Sequence, residues 1–213
     1  MTQSDRVPRS GRTRSRTKLL KFQQVYYVLD PQDRILWIGG EWDEFALANG
    51  GSGACANLVL ATPLSRHVAG ETTRAALARM IGAVRAAGAP LRIDYRCDSP
   101  RLARRVRFTI QPMKEDRVLM VHDLRDACAF EEALPHWRTE ASAAARKCSF
   151  CGAVQQPGCG WSFAEDLGAA HPAAVDYDVC PGCTAQIDAA VADLRPRRAP
   201  GRPMTGGFGP GTG

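Results

Sequence analysis

The chain has 213 residues, of which 45% are hydrophobic and 23% charged, and a formal net charge of +6. That length suits one domain of ordinary size with a smaller companion, and the hydrophobic fraction is that of a globular protein. There is no apolar run of the ~18 residues a membrane span needs and no apolar export signal after the basic N-terminus, so the eight cysteines read as reduced cytoplasmic thiols, free or bound to something, and not as a secreted disulfide scaffold.

Charge is concentrated at the two ends. Residues 1–21 carry seven Arg or Lys against Asp5, residues 195–213 carry four Arg and no acid, and the stretch between holds 17 bases against 21 acids. Both ends are rich in Arg, Pro, Gly, Ser and Thr, so burial cannot offset the entropy of ordering them and both are expected to be disordered tails. Arginine-rich arms are drawn to nucleic acid by charge alone. No aromatic side chains are interleaved for base stacking, so solubilising termini are the preferred reading and nucleic-acid contact the alternative.

VYYVLD (25–30) and RILWIGG (34–40) are β-branched, aromatic and aliphatic runs joined by Pro31-Gln32-Asp33, which predicts a hairpin. EWDEFALANGG (41–51) turns helical, with Trp42, Phe45 and Leu47 clustered and Asn49-Gly50-Gly51 as the stop. Between Gly70 and Ala89, Leu77, Met80 or Ile81, Val84 and Ala87 recur at steps of three and four while Arg74 and Arg85 lie off that stripe. This is an amphipathic helix, ended by Gly88-Ala89-Pro90. LRIDYRC (91–97) alternates, with Leu91, Ile93, Tyr95 and Cys97 on one face; VRFTI (106–110) repeats the pattern with Val106, Phe108 and Ile110; Asp98-Ser99-Pro100 is the turn between them. RVLMVHDL (117–124), after the turn Lys114-Glu115-Asp116, is apolar on both faces, as a central strand would be. Two strands, a helical middle and three strands predict an α+β fold: a five-stranded antiparallel sheet with its first and last strands near the centre and helices on one face.

The segments YYVLDPQDRILWIGGEWDEFA and YRCDSPRLARRVRFTIQP, with the long helix between them, resemble a PAS domain, in particular the variety found in small bacterial proteins with an RCDSP turn. The resemblance spans residues 22–126 and implies a sensory or interaction module, commonly dimeric, with a cavity between helices and sheet whose ligand varies from family to family. A haem would need a histidine on the long helix, which has none; Met80 lies on its apolar stripe. A covalent flavin would need a reactive cysteine in polar company, which Cys55 in GSGACANLV lacks. His67 and His122 are single imidazoles with no second ligand nearby in sequence and read as structural, and Cys97 reads as a small buried hydrophobe beside Ile93 and Tyr95.

In residues 127–146, Phe130, Leu134, Trp137, Ala141 and Ala144 fall at steps of four and three. This predicts a connecting helix, kinked or begun at Pro135, whose seam would pair two copies as a homodimer. Residues 147–194 then contain CSFC (148–151) and CPGC (180–183), separated by 28 residues. Each Cys-x-x-Cys can fold back as a knuckle, and two knuckles supply Cys148, Cys151, Cys180 and Cys183 as four soft ligands of tetrahedral zinc. Closing the connection costs about 3 kcal/mol plus a constant, whereas structural zinc returns roughly 10–16 kcal/mol in small peptides. The stretch between the knuckles is too polar and glycine-rich to build a core without metal, with Trp161, Phe163 and Leu167 as the expected lid. A thioredoxin-type pair would need its Cys-x-x-Cys at a helix start in a βαβ unit; rubredoxin-like iron is the alternative metal; Cys159 and His171 are spectators once four thiolates complete the shell.

Residues 147–185 also resemble the small C-x-x-C…G-x-W…C-x-x-C zinc ribbons attached to PAS domains and other bacterial signalling proteins, departing from them at Tyr177-Asp178-Val179. No kinase, cyclase or phosphodiesterase signature, no phosphate-cradling loop and no Ser, His and Asp grouping is present. The expectation is a non-enzymatic signalling or regulatory protein. Its PAS module would sense a small ligand, redox state or partner, and its zinc ribbon, with a helix bearing Ile187, Val191 and Leu194, would meet a protein partner or DNA. A thiol switch acting through zinc release and a nucleic-acid-binding transcriptional regulator are the alternatives.

Overall fold

The structure, a computed structural model, describes residues 24–195. The expected tail over 1–21 and all but the first residue of the tail over 195–213 lie outside the described residues.

The predicted hairpin is β1 (Gln24–Leu29) paired antiparallel with β2 (Ile35–Gly40). Its turn forms because the Asp30 carboxylate accepts the N–H groups of Gln32 at 2.9 Å and Arg34 at 2.8 Å, replacing backbone partners that the reversal removes. Three helices follow: α1 (Trp42–Ala48), the single turn α2 (Ala56–Val59) and the long α3 (Glu71–Ala87). Gly88, at φ +59°, ends α3 in the left-handed conformation that glycine adopts without strain. Then come β3 (Leu91–Arg96), β4 (Leu102–Pro112) and β5 (Val118–Ala129). The sheet order is β2-β1-β5-β4-β3, so the first and last strands are neighbours in its middle, as expected.

One face of this sheet carries the core. Tyr27 and Leu29, Leu91 and Ile93, Phe108 and Ile110, and Val118 and Met120 point to it and meet Met80, Ile81 and Val84 of α3. The space beneath α1 is filled by aromatic side chains: Tyr27 meets Trp42 edge to face at 5.5 Å, and His122 stacks on Phe108 at 4.5 Å and on Tyr27 at 5.7 Å. The opposite face differs from the expectation for β5. Leu119 and Val121 are only half-buried there, and Trp37 of β2 is 51% exposed. The helices lie on the other side, so β5 is central in the sheet yet buried on one face.

The connecting helix expected over 127–146 does not form. β5 runs on to Ala129, and the next element is the two-residue strand β6 (Arg138–Thr139). The backbone N–H groups a helix would need are used elsewhere: Phe130 N–H donates to Arg101 C=O at 3.1 Å and Leu134 N–H to Pro100 C=O at 2.7 Å, while Pro135 has none to give. Ala141 and Ala144 are exposed, so the predicted dimer seam does not exist.

The remaining strands are β7 (Arg146–Cys148), β8 (Val154–Gln155), β9 (Trp161–Ser162) and β10 (Ala174–Asp178), followed by α4 (Pro181–Ala192). They form a second sheet ordered β6-β10-β7-β8-β9. Residues 147–194, read from the sequence as a zinc-ribbon-like domain, pack directly on the first sheet. Cys148, Phe150, Cys180, Cys183 and Ile187 belong to the same hydrophobic cluster as Leu91 and Ile93 of β3. A segment this short buries too little surface alone, and it gains more by closing over the free edge of β3, where Arg96 N–H donates to Phe150 C=O at 2.6 Å. The stripe on α4 is turned inward for the same reason: Ile187 is buried, and Val191 and Leu194 pack against the shared core.

Gly70 marks this junction. It precedes α3 at φ +81°, and a Cβ on it would lie 2.2 Å from the Tyr177 carbonyl oxygen of β10. Gly70→Ala is expected to destabilise the protein by about 1–3 kcal/mol, through backbone strain and lost packing of β10 on α3. Gly82→Ala, inside α3 with nothing within 4 Å, is expected to stabilise it by about 0.5–1 kcal/mol. Urea midpoints at unchanged m-value check both.

Candidate metal centre

The four sulfurs come from two local devices. Cys148 ends β7 and Cys151 sits on the turn after it, where Gly152, at φ +75°, lets the chain reverse. That turn is closed by Gly152 N–H to Cys148 C=O at 3.0 Å and Cys148 N–H to Ala153 C=O at 2.8 Å. Cys180 caps α4, Pro181 begins the helix where no N–H is needed, and Cys183 lies in its first turn.

Together they place all four Sγ atoms within 4.8 Å of one another. The Cys151–Cys180 separation is 3.7 Å, against about 3.8 Å for the edge of a tetrahedron with 2.3 Å zinc–sulfur bonds. Cys148, Cys180 and Cys183 are buried and Cys151 half-buried. Backbone donors face the sulfurs: Cys180 N–H to Cys148 Sγ at 3.4 Å and Cys183 N–H to Cys180 Sγ at 3.5 Å.

The thiols' own electrostatics point the same way. Hydrogen bonds from the Cys151 and Cys183 thiols, with the Cys180 backbone N–H, hold Cys148 as a thiolate far below the ordinary thiol range. Cys151 is pushed up to about 12 by its bond to Cys148, and Cys183 is raised by the same two neighbours. One negative charge is tolerated and more are opposed, so full deprotonation requires a cation in their midst. The donor set therefore fits a soft divalent ion such as zinc, and four protein ligands leave no open position for catalysis.

The centre is fastened to the first sheet by the RCDSP segment. Asp98 accepts the Arg104 backbone N–H at 2.9 Å and pairs with Arg96 at 2.6 Å. Its carboxylate also lies 3.3 Å from where a Cβ of Gly152 would be. Arg96 bonds both oxygens of Glu165 at 3.0 and 3.2 Å, with its guanidinium 5.0 Å above the Phe163 ring. From α3, Thr73 shares a 2.6 Å hydroxyl bond with Ser149, and Thr72 donates to Asp178 at 2.6 Å. Arg96 and Asp98 were read from sequence only as outward-facing or turn residues; their opposite charges flanking Cys97 were the available signal.

Of the expected lid, Trp161 packs against the core while Phe163 is 44% exposed and Leu167 half-buried behind a short turn. Cys159 is exposed, and His171 lies beside Trp137 with ring centres 5.7 Å apart; the group of four is Cys148, Cys151, Cys180 and Cys183. Cys97 is half-buried and burial pushes its thiol up. His67 shares a 2.5 Å bond with Thr62 at the surface. His122 proves the more consequential histidine. Its Nδ1 lies 3.0 Å from the Tyr95 hydroxyl, and burial pushes the imidazole down to about 4. No helix among the described residues is long and apolar enough to cross a membrane. No protein-family model, curated protein or solved structure matches the chain.

Proposed function

We propose that the protein is a non-enzymatic signalling or regulatory protein of a bacterial cytoplasm, in which a PAS-like module carries a structural zinc centre built into its edge. The observation that carries this reading is the joint one: a β2-β1-β5-β4-β3 antiparallel sheet with its helices on one face, and a four-thiol cluster closed over β3 of that same sheet. Zinc bound there supplies folding energy and no reaction. Cys148, Cys151, Cys180 and Cys183 would hold it, and the surface around α4 and the second sheet would meet a protein partner or DNA.

Deleting the gene in its native host is expected to change the transcript profile, and a Cys180→Ser copy is expected to fail to restore it. An unchanged profile on deletion would overturn the regulatory reading. The alternative thiol switch has one specific support: Cys151 is the half-buried residue of the four and the other three are buried, so peroxide would meet it first and oxidise two thiolates to a disulfide with loss of zinc. Zinc release only at unphysiological peroxide would leave that alternative without ground.

A further inference from the structure

We infer that the open face of the first sheet binds single-stranded nucleic acid, with Trp37 and Tyr26 stacking its bases and a group of arginines meeting its phosphates. The helices lie on the other face. On this one Trp37 is 51% exposed, and Tyr26, Val28, Leu119 and Val121 are only half-buried, the kind of apolar patch that marks an interaction surface. Strand pairing sets the layout. Trp37, Val28 and Leu119 stand in one row, and Tyr26, Val121, Thr109 and Arg92 in the next. The row after that holds Asp123, Arg107 and Asp94, and beyond it lie Arg105 and, where β5 shifts register, Arg125. The face is therefore aromatic at its β2 end and basic towards β3 and β4, about three strand spacings or ~14 Å away.

The two rings form a platform because Gly39, opposite Tyr26 and two residues after Trp37, has no side chain: a Cβ there would lie 2.5 Å from the Tyr26 ring and 2.7 Å from that of Trp37. Their centres are 5.1 Å apart and their planes 36° apart, which leaves ring surface open for a base. Arg92, Arg105 and Arg125 are exposed, and their side chains make no ion pair or hydrogen bond among the described residues. The nearby acids are mostly engaged: Arg107 bonds Asp94 at 2.9 and 3.1 Å, and Asp123 accepts from the Gln24 side chain, leaving Asp126 opposite Arg105. The bond from Arg107, then the charges of Arg107, Arg105 and Arg125, hold Asp94 below the usual carboxylate range against its burial, so these three cations gather around one point. Residues 1–21 add seven Arg or Lys against Asp5 and join the chain just before Gln24, which stands in the row of Asp123 and Arg107. That arm lacks aromatic side chains, and the sheet supplies them.

A polyanion with exposed planar bases satisfies both halves of the face. A second copy would match the apolar half but bring up another set of the same cations, and a duplex keeps its bases inside, in grooves that a flat sheet does not enter. The inference deepens the regulatory reading and rests on it for its biological purpose, while binding itself stands on the sheet.

The test is fluorescence anisotropy of labelled oligo-dT and oligo-U strands of about 12 nucleotides with the full-length, zinc-loaded protein. Unlabelled duplex, polyphosphate and phosphatidylglycerol vesicles serve as competitors. At least one strand is expected to bind roughly tenfold tighter than duplex or polyphosphate, with affinity that falls as salt rises; the tighter of the two names the source. Trp37→Ala is expected to weaken binding roughly tenfold with the salt slope kept, and Arg105→Gln with Arg125→Gln to reduce that slope by about 1 per arginine removed. Leu58→Ala, at an exposed leucine of α2, is expected to change neither. Absent binding, equal or tighter binding of duplex, polyphosphate or vesicles, or affinity indifferent to Trp37→Ala would overturn the inference. The wild-type comparison of ligands decides even if a variant does not fold. Absent binding with a transcript profile still altered by gene deletion would strike this inference and leave the regulatory reading standing.

Discussion

Replacing Cys180 by Ser, or stripping the metal with a strong chelator, is expected to destabilise the first sheet as well as residues 147–194. Cys180 and Cys183 share a hydrophobic cluster with Leu91 and Ile93. The knuckle's Phe150 carbonyl also accepts the N–H of Arg96 at the end of β3. Structural zinc is worth roughly 10–16 kcal/mol in small peptides, as large as the ~5–15 kcal/mol net stability of a whole typical domain, so the loss will not stay local. Hydrogen exchange should rise across residues 91–97 and at the start of α3, where Thr72 and Thr73 hold Asp178 and Ser149. The urea midpoint should collapse, and elemental analysis should report one zinc per wild-type chain and little in the variant. Cys159→Ser, at an exposed thiol, should change neither. Ordered, fully protected β3 in a metal-free protein would contradict the shared core.

Acid is expected to destabilise the protein through His122. Its imidazole is enclosed by Phe108, Tyr27 and Tyr95, and burial pushes it from 6.5 down to about 4, with Asp123 opposing that shift. Above pH 6.5 the ring is neutral in both folded and unfolded chains and stability is complete. Below it the unfolded chain takes up a proton that the folded chain refuses, so stability falls as pH drops towards 4, by about 3 kcal/mol in all. The phenols of Tyr27 and Tyr95 are raised by burial and do not titrate in this window. Asp94 and Asp178 lie below the usual carboxylate range and lose their contribution only at lower pH. His67 is exposed and contributes little. Acid would also release a thiolate-bound metal, so the comparison is made against His122→Phe, which leaves the four cysteines unchanged. The variant's stability should be flatter by the stated amount between pH 6.5 and 4 in chemical denaturation; identical slopes would refute the assignment.

Period-two alternation made the sheet legible. Leu91, Ile93 and Tyr95, and Val106, Phe108 and Ile110, fall on one face in the structure as in the sequence, because a strand's side-chain repeat leaves no other choice. The cysteine spacing was legible for a related reason: a knuckle is a local turn, and both halves form from adjacent residues. The stretch 127–146 misled because steps of three and four describe a helix only if its backbone donors are free, and Phe130 and Leu134 spend theirs on Arg101 and Pro100.

By itself, then, the chain's order of residues determined which segments are strands, which face of each is apolar, and which four thiols can meet, since all three follow from local geometry and near-neighbour turns. Only the tertiary structure decided that the four-cysteine cluster closes the edge of β3 and shares its core, that β5 is covered on one side, and that Arg104 is buried. Those outcomes depend on contacts between residues dozens of positions apart, whose net energy is a difference between burial, desolvation and chain entropy that no short window of sequence contains.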